Sequence, residues 1–260
     1  HWKNIKLKEL SEIIAACSGL YLEAVCESQS VTPGSAAKIK WEVINRSKVL
    51  MVLKSISVLP ENKTFIQDTQ LPYNLSIENS IDVVVPQNMS YTSPYWLTEK
   101  GTAGMYKVDD LQKVGYPDII REMAVVFSVE INGVTFPFQR MVVHKFNDPV
   151  AGEVYQPLDV IPDVSTRILN KVQLFKDNKQ QAVSIQIKAG KDNCKGSLRF
   201  ELPEGWKVTP ASIPFDLARK GSETIVTFQV VPPDDPSEAT GRSIAIVDGK
   251  EFDREQIIIN

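Results

Sequence analysis

The stretch MAVVFSVEINGVTFPFQRMVVHKF, residues 123–146, decides the fold class of this chain. Two runs rich in β-branched and aromatic residues, 123–131 and 134–146, are separated only by Asn132-Gly133. An Asn-Gly pair between such runs is a strong signal for a β-hairpin, because both residues accept the positive φ of a type I′ turn. The stretch therefore predicts two antiparallel strands joined by a tight turn.

The alternation of apolar and polar residues continues upstream of this hairpin. Apolar residues at alternate positions are separated by charged ones: Ala37, Ile39, Trp41 and Val43 alternate with Lys38, Lys40 and Glu42. A period of two is typical of a strand with one buried and one solvated face. Residues 49–58 and 80–85 follow as further strands, so we expect residues 21–146 to form a β-sandwich of about seven strands.

Downstream of the hairpin the alternation stops and then resumes. Pro149, Pro157 and Pro162 fall in residues 147–163, which predicts a semi-rigid linker. Alternating runs begin again at residues 183–188, 198–202 and 226–230, with turn residues between them. We expect residues 164–260 to form a second antiparallel sandwich of seven or eight strands. The predicted fold class is thus all-β, with two immunoglobulin-like sandwiches.

One helix is predicted ahead of the first sandwich, within residues 1–20. Leu7, Leu10, Ile14 and Cys17 recur at spacings of three and four, and Gly19 is placed to cap the carboxyl end. Such an amphipathic helix must bury its apolar face, either on the sandwich that follows or on a partner domain. Because the chain begins His-Trp-Lys without an initiator Met, we expect it to be part of a longer protein.

The candidate functional residues lie in a long connection between predicted strands, residues 93–118, which we call the aromatic loop. Its first part reads SPYWLTEKGTAGMYKVDD, and its candidate contact residues are Tyr95, Trp96, Met105 and Tyr106. Long irregular connections in compact domains usually carry a function. These side chains could anchor a neighbouring domain, pack on one another, or stack on a sugar.

Composition argues against several classes of function. The formal net charge is -3, from 32 acidic and 29 basic residues spread along the chain, so we expect no nucleic-acid partner. No apolar run approaches the roughly 20 residues that span a bilayer, and we expect no membrane segment. Two histidines are too few for a hydrolytic zinc site, and neither a nucleophile motif nor a phosphate-binding loop occurs. We therefore predict no catalytic, cofactor or metal residue, and no enzyme activity for this chain.

For His144 and for the cysteines, the sequence favours a structural role. His144 shares strand parity with Phe138, Val142 and Phe146, which indicates a half-buried histidine at a strand end. Of the three cysteines, Cys17 and Cys26 could form a disulfide, and buried free cysteine is the alternative.

An ordered series of short motifs resembles a known family. The series consists of Pro94-Tyr95-Trp96-Leu97, Gly104-Met105-Tyr106-Lys107-Val108-Asp109-Asp110, Gly115-Tyr116-Pro117, Pro149-Val150, Gly152-Glu153, Pro157-Leu158 and Val160-Ile161-Pro162. It resembles the non-catalytic region that follows the deacetylase domain in large bacterial PIG-L (LmbE-like) proteins. Residues 202–210, LPEGWKVTP, with Lys220-Gly221-Ser222, are similar to the NEW3 sandwich of exported glycan-active enzymes.

The resemblance implies a role for the chain as a whole. The family's deacetylase domain holds zinc through a His-Pro-Asp-Asp type motif, and this sequence contains no such motif. The resemblance implies an accessory module without cofactor, whose parent removes N-acetyl groups from amino sugars with zinc bound elsewhere. The implied partner is the upstream deacetylase domain of the same chain, with glycan as the alternative. The implied location is extracytoplasmic, either periplasmic or secreted.

Overall fold

The computed structural model describes residues 2–99, 101–117 and 119–258. The chain divides into two compact units, with the boundary between Val160 and Ile161. Each unit is an immunoglobulin-like β-sandwich, and one helix precedes the first. The predicted fold class is therefore confirmed.

The first unit contains the helix and eleven of the strands in the described residues. Their bounds are α1 (Trp2–Cys17), β1 (Leu20–Cys26), β2 (Ser30–Val31), β3 (Ala36–Asn45), β4 (Met51–Leu59), β5 (Lys63–Gln70), β6 (Ser76–Val84), β7 (Ala124–Ile131), β8 (Val134–Met141), β9 (Val143–Asp148), β10 (Gly152–Pro157) and β11 (Asp159–Val160).

The two main sheets of this unit have the strand orders β10-β9-β1-β3-β6 and β5-β4-β7-β8. Their inner faces form one core, because alternate residues of each strand point inward. The largest fully buried side chains of that core include Trp41, Phe127 and Phe138. A short parallel pair, β2 with β11, lies beside them.

The Asn-Gly hairpin forms as predicted, but its second strand is shorter. Asn132 and Gly133 have φ of 48° and 83°. β7 pairs with β8 along its whole length, from Ile131 opposite Val134 to Ala124 opposite Met141. The chain then leaves that sheet at the buried Val142, and β9 joins the opposite sheet. The prediction of one strand over residues 134–146 was wrong, because an alternating pattern does not reveal where a chain changes sheets.

The helix forms and Gly19 follows its end with φ of +65°, but of the predicted apolar face only Ile14 packs on the core. Ala15 is buried and Ile14 packs on the core, whereas Leu7, Leu10 and Cys17 are exposed. Small residues allow a helix to approach a sheet closely, so the last turn packs through Ala15 rather than through the leucines. None of the helices in the described residues is long and apolar enough to cross a membrane.

The segment predicted as a linker, residues 147–163, is mostly part of the first sandwich. β9 and β10 form a hairpin on the edge of the five-stranded sheet, and the unit boundary falls at residue 160 rather than 147. Pro157 ends an edge strand, where a missing N–H is tolerated. Asp148 stabilises the turn by accepting hydrogen bonds from the backbone N–H groups of Val150 (2.8 Å) and Ala151 (2.7 Å).

The second unit has two four-stranded sheets, β12-β13-β17-β15 and β16-β14-β18-β19. Their strands are β12 (Val164–Ile168), β13 (Gln181–Ala189), β14 (Cys194–Glu201), β15 (Lys207–Thr209), β16 (Ile213–Leu217), β17 (Glu223–Val231), β18 (Arg242–Val247) and β19 (Lys250–Phe252). Its core contains Ile185, Ile187, Leu198 and Phe228, all fully buried. Trp206 packs on this core edge-to-face with Phe175, at 5.3 Å between ring centroids.

Candidate interaction site

The aromatic loop belongs to the connection between β6 and β7, and both of its ends are held by β11. At the first end, the backbone N–H of Thr92 donates to the Val160 carbonyl (2.8 Å), and the Val160 N–H donates to the Thr92 hydroxyl (2.8 Å). At the second end, the Arg121 guanidinium donates to Asp159 Oδ1 from Nε (3.3 Å) and from Nη2 (3.2 Å). One two-residue strand thus closes the base of the loop. We call this arrangement the β11 clamp.

Tyr95 and Trp96 lie in a short 3-10 turn and pack against each other. Their ring centroids are 4.9 Å apart and the ring planes meet at 88°. The Tyr95 hydroxyl accepts a hydrogen bond from the backbone N–H of Gly115 (3.2 Å), which ties the two halves of the loop together. Both side chains are half-buried. This pair therefore organises the loop and presents no flat aromatic platform.

The tip of the loop is a tight turn that exposes Met105 and Tyr106. Thr102 and Met105 exchange backbone hydrogen bonds of 2.9 and 3.3 Å across Gly104, whose φ is +86°. A Cβ at Gly101 would lie 2.6 Å from the Met105 carbonyl oxygen, so this close approach requires glycine. Met105 is 73% exposed and Tyr106 is 68% exposed. Among the described residues, no ring contact joins Tyr106 to Tyr95 or Trp96.

The loop exposes more apolar side chains than the four candidate contact residues predicted from the sequence. The exposed apolar side chains of the loop, together with Ile120 just beyond it, form what we call the loop surface: Leu97, Met105, Tyr106, Leu111, Val114, Tyr116 and Ile120. Leu111 is the most exposed of them, at 78%. The apolar residues of positions 111–120 recur with neither the period of a strand nor that of a helix. Apolar residues without a regular period have no element to bury them, and this pattern could have predicted their exposure.

A cavity of about 340 Å³ lies beneath the loop. Four core side chains, Met89, Met123, Leu158 and Val160, contribute to its lining, together with Tyr91 and Tyr95. Charged residues complete the wall, and Lys107 lies 3.7 Å from Glu99 and 3.6 Å from Asp109. The cavity thus has an apolar part and a charged part whose ions are largely paired.

A network of charged groups joins three strands of the five-stranded sheet. Lys145 Nζ lies 2.8 Å from Glu153 Oε1 and 3.2 Å from Glu23 Oε1. The bond to Glu153 raises the pKa of Lys145, and the same bond lowers the pKa of Glu153 below its ordinary value. Burial, followed by the hydrogen bond to Glu23, raises the pKa of Tyr21. The first two shifts favour the ionised lysine and glutamate, and the contacts that cause them connect β9 to β10 and to β1.

The histidine and the cysteines of the described residues form neither a disulfide nor a metal site. The His144 ring, which we place with Nδ1 protonated, lies 3.1 Å from the Cys26 carbonyl and stacks on Phe146. Cys17, Cys26 and Cys194 form no disulfide, and burial raises the pKa of the Cys194 thiol. Within residues 2–99, 101–117 and 119–258, no group of three or more His, Cys, Asp or Glu side chains is placed to hold a metal ion.

The chain matches no protein-family model and no curated protein. Among solved structures, it is similar to red sea bream transglutaminase, with a TM-score of 0.36 and 9% identity over 95% of this chain and 33% of the other. Escherichia coli alpha-2-macroglobulin gives a TM-score of 0.29 and 14% identity over 88% and 15%. The Yersinia pseudotuberculosis adhesin InvE gives 0.23 and 8% over 90% and 58%. The chain therefore spans a third or less of the first two proteins.

Proposed function

We propose that this chain is a non-catalytic interaction module that docks a neighbouring protein domain through the loop surface. The observation that carries the proposal is the exposure of seven large apolar side chains on one connection whose ends are both fixed by the β11 clamp. Exposed apolar side chains grouped in one segment are typical of interaction sites, and a fixed base lowers the entropy lost on docking.

The resemblance to the region downstream of PIG-L-like deacetylase domains supports a particular neighbour. The motifs Pro94–Leu97 and Gly104–Asp110 that carry the resemblance are the same segments that build the 3-10 turn and the exposed tip. The proposed neighbour is therefore the deacetylase domain of a longer bacterial protein, which would hold the zinc and act on N-acetylated amino sugars outside the cytoplasm.

Methionine oxidation tests this docking. Met105 is 73% exposed and lies on the loop surface, whereas Met141, on β8, is 40% exposed and serves as an internal reference. Peroxide converts an accessible methionine to its sulfoxide, which mass spectrometry quantifies. We expect Met105 to be oxidised severalfold more slowly, relative to Met141, in the longer protein than in this chain.

A matched pair of variants separates docking from general protection. Tyr106→Ser with Leu111→Ser should restore rapid oxidation of Met105 in the longer protein, because both changes remove apolar contact area. Val172→Ser with Leu174→Ser changes two side chains that are each 81% exposed in the second unit, and should have no effect. Equal oxidation rates of Met105 in the two proteins would exclude docking through the loop surface.

The alternative function is carbohydrate binding, which two separate features favour: the cavity, and the exposed ring of Tyr106, which does not line it. A cavity of about 340 Å³ is within the size range of small-ligand sites. The perpendicular Tyr95 and Trp96 rings argue against a stacking platform made by that pair. Titration of the 260-residue chain with glucosamine oligomers distinguishes the two functions, since saturable binding that Tyr106→Ala abolishes would favour the alternative.

A further inference from the structure

Residues 2–10 of α1 are exposed on every side, and one face stays exposed over the whole length of the helix. The opposite side contacts the sandwich, where Ala15 is buried and the Arg140 guanidinium donates to Glu12 Oε1 at 2.9 Å. Four residues, separated by four, three and four positions, lie along the middle of the exposed face, because a helix turns by about 100° per residue. These residues are Trp2, Lys6, Glu9 and Ile13, which we call the α1 stripe. Trp2 is 72% exposed and Ile13 is 58% exposed.

The charged centre of the α1 stripe is already ordered within one helix. Lys6 Nζ lies 2.7 Å from Glu9 Oε2 and 5.9 Å from the centroid of the Trp2 ring. The order along the helix is therefore aromatic, cation, anion, aliphatic. Ile5 and Leu10 lie on either side of this row and add apolar area to its flanks.

We propose that a second copy of this chain covers the α1 stripe, with the two helices antiparallel about a two-fold axis. In an antiparallel pair, one helix runs up while the other runs down, so a residue near the start of one helix faces a residue near the end of the other. With this spacing, two facing residues have numbers that add up to about 15. Trp2 of each copy then lies against Ile13 of the other, and Lys6 of each against Glu9 of the other. The stripe is thus complementary to itself, which a two-fold interface requires.

The charges of the α1 stripe favour a second copy of the chain over a lipid surface, and an antiparallel pair of helices over a parallel one. A parallel pair would place Lys6 against Lys6 and Glu9 against Glu9, and like charges in contact oppose association. A lipid surface would have to bury the ion pair at the centre of the stripe in an apolar medium, which is unfavourable. A second antiparallel copy instead surrounds each of these charges with two of opposite sign.

The contact area of two short helices is small, so the dimer is weak. Interfaces that bury less than about 1,200 Å² belong to the transient class. We expect the weight-average mass of the 260-residue chain, measured by analytical ultracentrifugation, to rise from monomer toward dimer between about 10 µM and 1 mM. A monomer at every concentration in this range would overturn the proposal.

Charge reversal gives the decisive test. Lys6→Glu makes the stripe wholly acidic and Glu9→Lys makes it wholly basic, so each variant alone should associate at least about tenfold more weakly. An equimolar mixture of the two variants should form a heterodimer, because every acidic position then meets a basic one. Recovery in the mixture also shows that neither variant has lost its helix. Failure of the mixture to associate would overturn the proposal.

Lys8→Glu is the matched control, because Lys8 is exposed on α1 but points about 130° away from the stripe. It makes the same change of charge and should leave dimerisation unchanged. A loss as large as that of Lys6→Glu would show that net charge, rather than the stripe, controls association, and would overturn the proposal.

Cys17 reports the orientation, since it is exposed while Cys26 and Cys194 are buried. Antiparallel helices should hold spin labels on the two Cys17 side chains about 28 Å apart along the axis, from a rise of about 1.5 Å per residue. Labels within about 10 Å would indicate a parallel pair and overturn the proposed arrangement. The inference uses none of the loop surface, so it can fail independently of the proposed function.

Discussion

Asn45 connects three segments of the first sandwich through one buried side chain. Its Nδ2 donates to the carbonyls of Val49 (2.9 Å) and Leu71 (3.0 Å), and its Oδ1 accepts from the N–H and hydroxyl of Ser47 (both 3.0 Å). The residue is 2% exposed. Both polar atoms of the Asn45 side chain therefore have hydrogen-bond partners, as buried polar groups usually do.

Asn45→Ala should lower the free energy of unfolding by about 1 to 3 kcal/mol, because it removes the donor to the buried Leu71 carbonyl. Chemical denaturation would measure the change. Asn88→Ala, at an exposed position of the same residue type, is the control and should shift stability by less than about 0.5 kcal/mol. Similar losses in both variants would show that the Asn45 hydrogen bonds are not responsible.

Sequence patterns explain some residues and not others. Trp41 lies at an apolar position of an alternating strand, and the structure confirms it in the core at 2% exposure. Asn45 opens an Asn-x-Ser triplet just as exposed Asn74 and Asn88 do, so nothing local distinguishes it. Its partners Val49 and Leu71 meet only after the strands assemble, and a local pattern contains no such information.

At the scale of elements, two carboxylates accept hydrogen bonds within the hairpin of β9 and β10. Hydrogen bonding to Lys145 lowers the pKa of Glu153 below 4.5, its ordinary value, and the backbone N–H groups of Ala151 and Val150 lower that of Asp148 below 3.8. A group with a lowered pKa in the folded state stabilises the fold above its unfolded pKa and loses that contribution as pH falls.

Glu153→Gln should therefore destabilise the chain at pH 6, and the difference from the parent chain should disappear as pH falls from 4.5 toward 3. Denaturation midpoints measured across this range would show the convergence. Glu61→Gln makes the same change at an exposed glutamate in the turn between β4 and β5, outside this network, and is the control. A constant difference at every pH would contradict an ionic origin.

Elements were predictable where the signal was local. The Asn132-Gly133 turn and the Gly19 cap depend on the φ angles of single residues, and both form. The path from β8 through Val142 into β9 depends instead on contacts with β1, such as the pairing of Val25 with Val143. The aromatic loop was predicted from its composition, and these residues lie in the connection between β6 and β7, but the exposure of Leu111 and Val114 depends on how the whole loop folds.

At the scale of the whole molecule, the chain has two separate cores. Phe127 lies in the core of the first unit and Phe228 in that of the second, and both are fully buried. Phe127→Ala and Phe228→Ala should each lower stability by about 3 to 5 kcal/mol. Hydrogen exchange should show the largest loss of protection in β3, β4 and β7 for the first variant, and in β13, β14 and β17 for the second. A uniform loss over both units in either variant would contradict this assignment.

The number of domains was predictable from the length and from the two blocks of alternating residues, but their boundary was not. The prolines predicted a linker that begins at residue 147. In the structure β9 and β10 pair with each other, so the first unit extends to residue 160. Proline marks the edge of a sheet as well as a break between domains, and only the assembled sheet distinguishes these two uses.

The β11 clamp has a consequence for how this protein can change during evolution. Insertions, deletions and substitutions between Thr92 and Arg121 leave both attachment points to Asp159 and Val160 intact. Lengthening a closed loop costs little chain entropy, about 0.6 kcal/mol for each doubling. Selection can therefore change the length of this loop outside the motifs at residues 94–97, 104–110 and 115–117 while the sandwich keeps its register, so the segments between these motifs should vary in length more than the strands do.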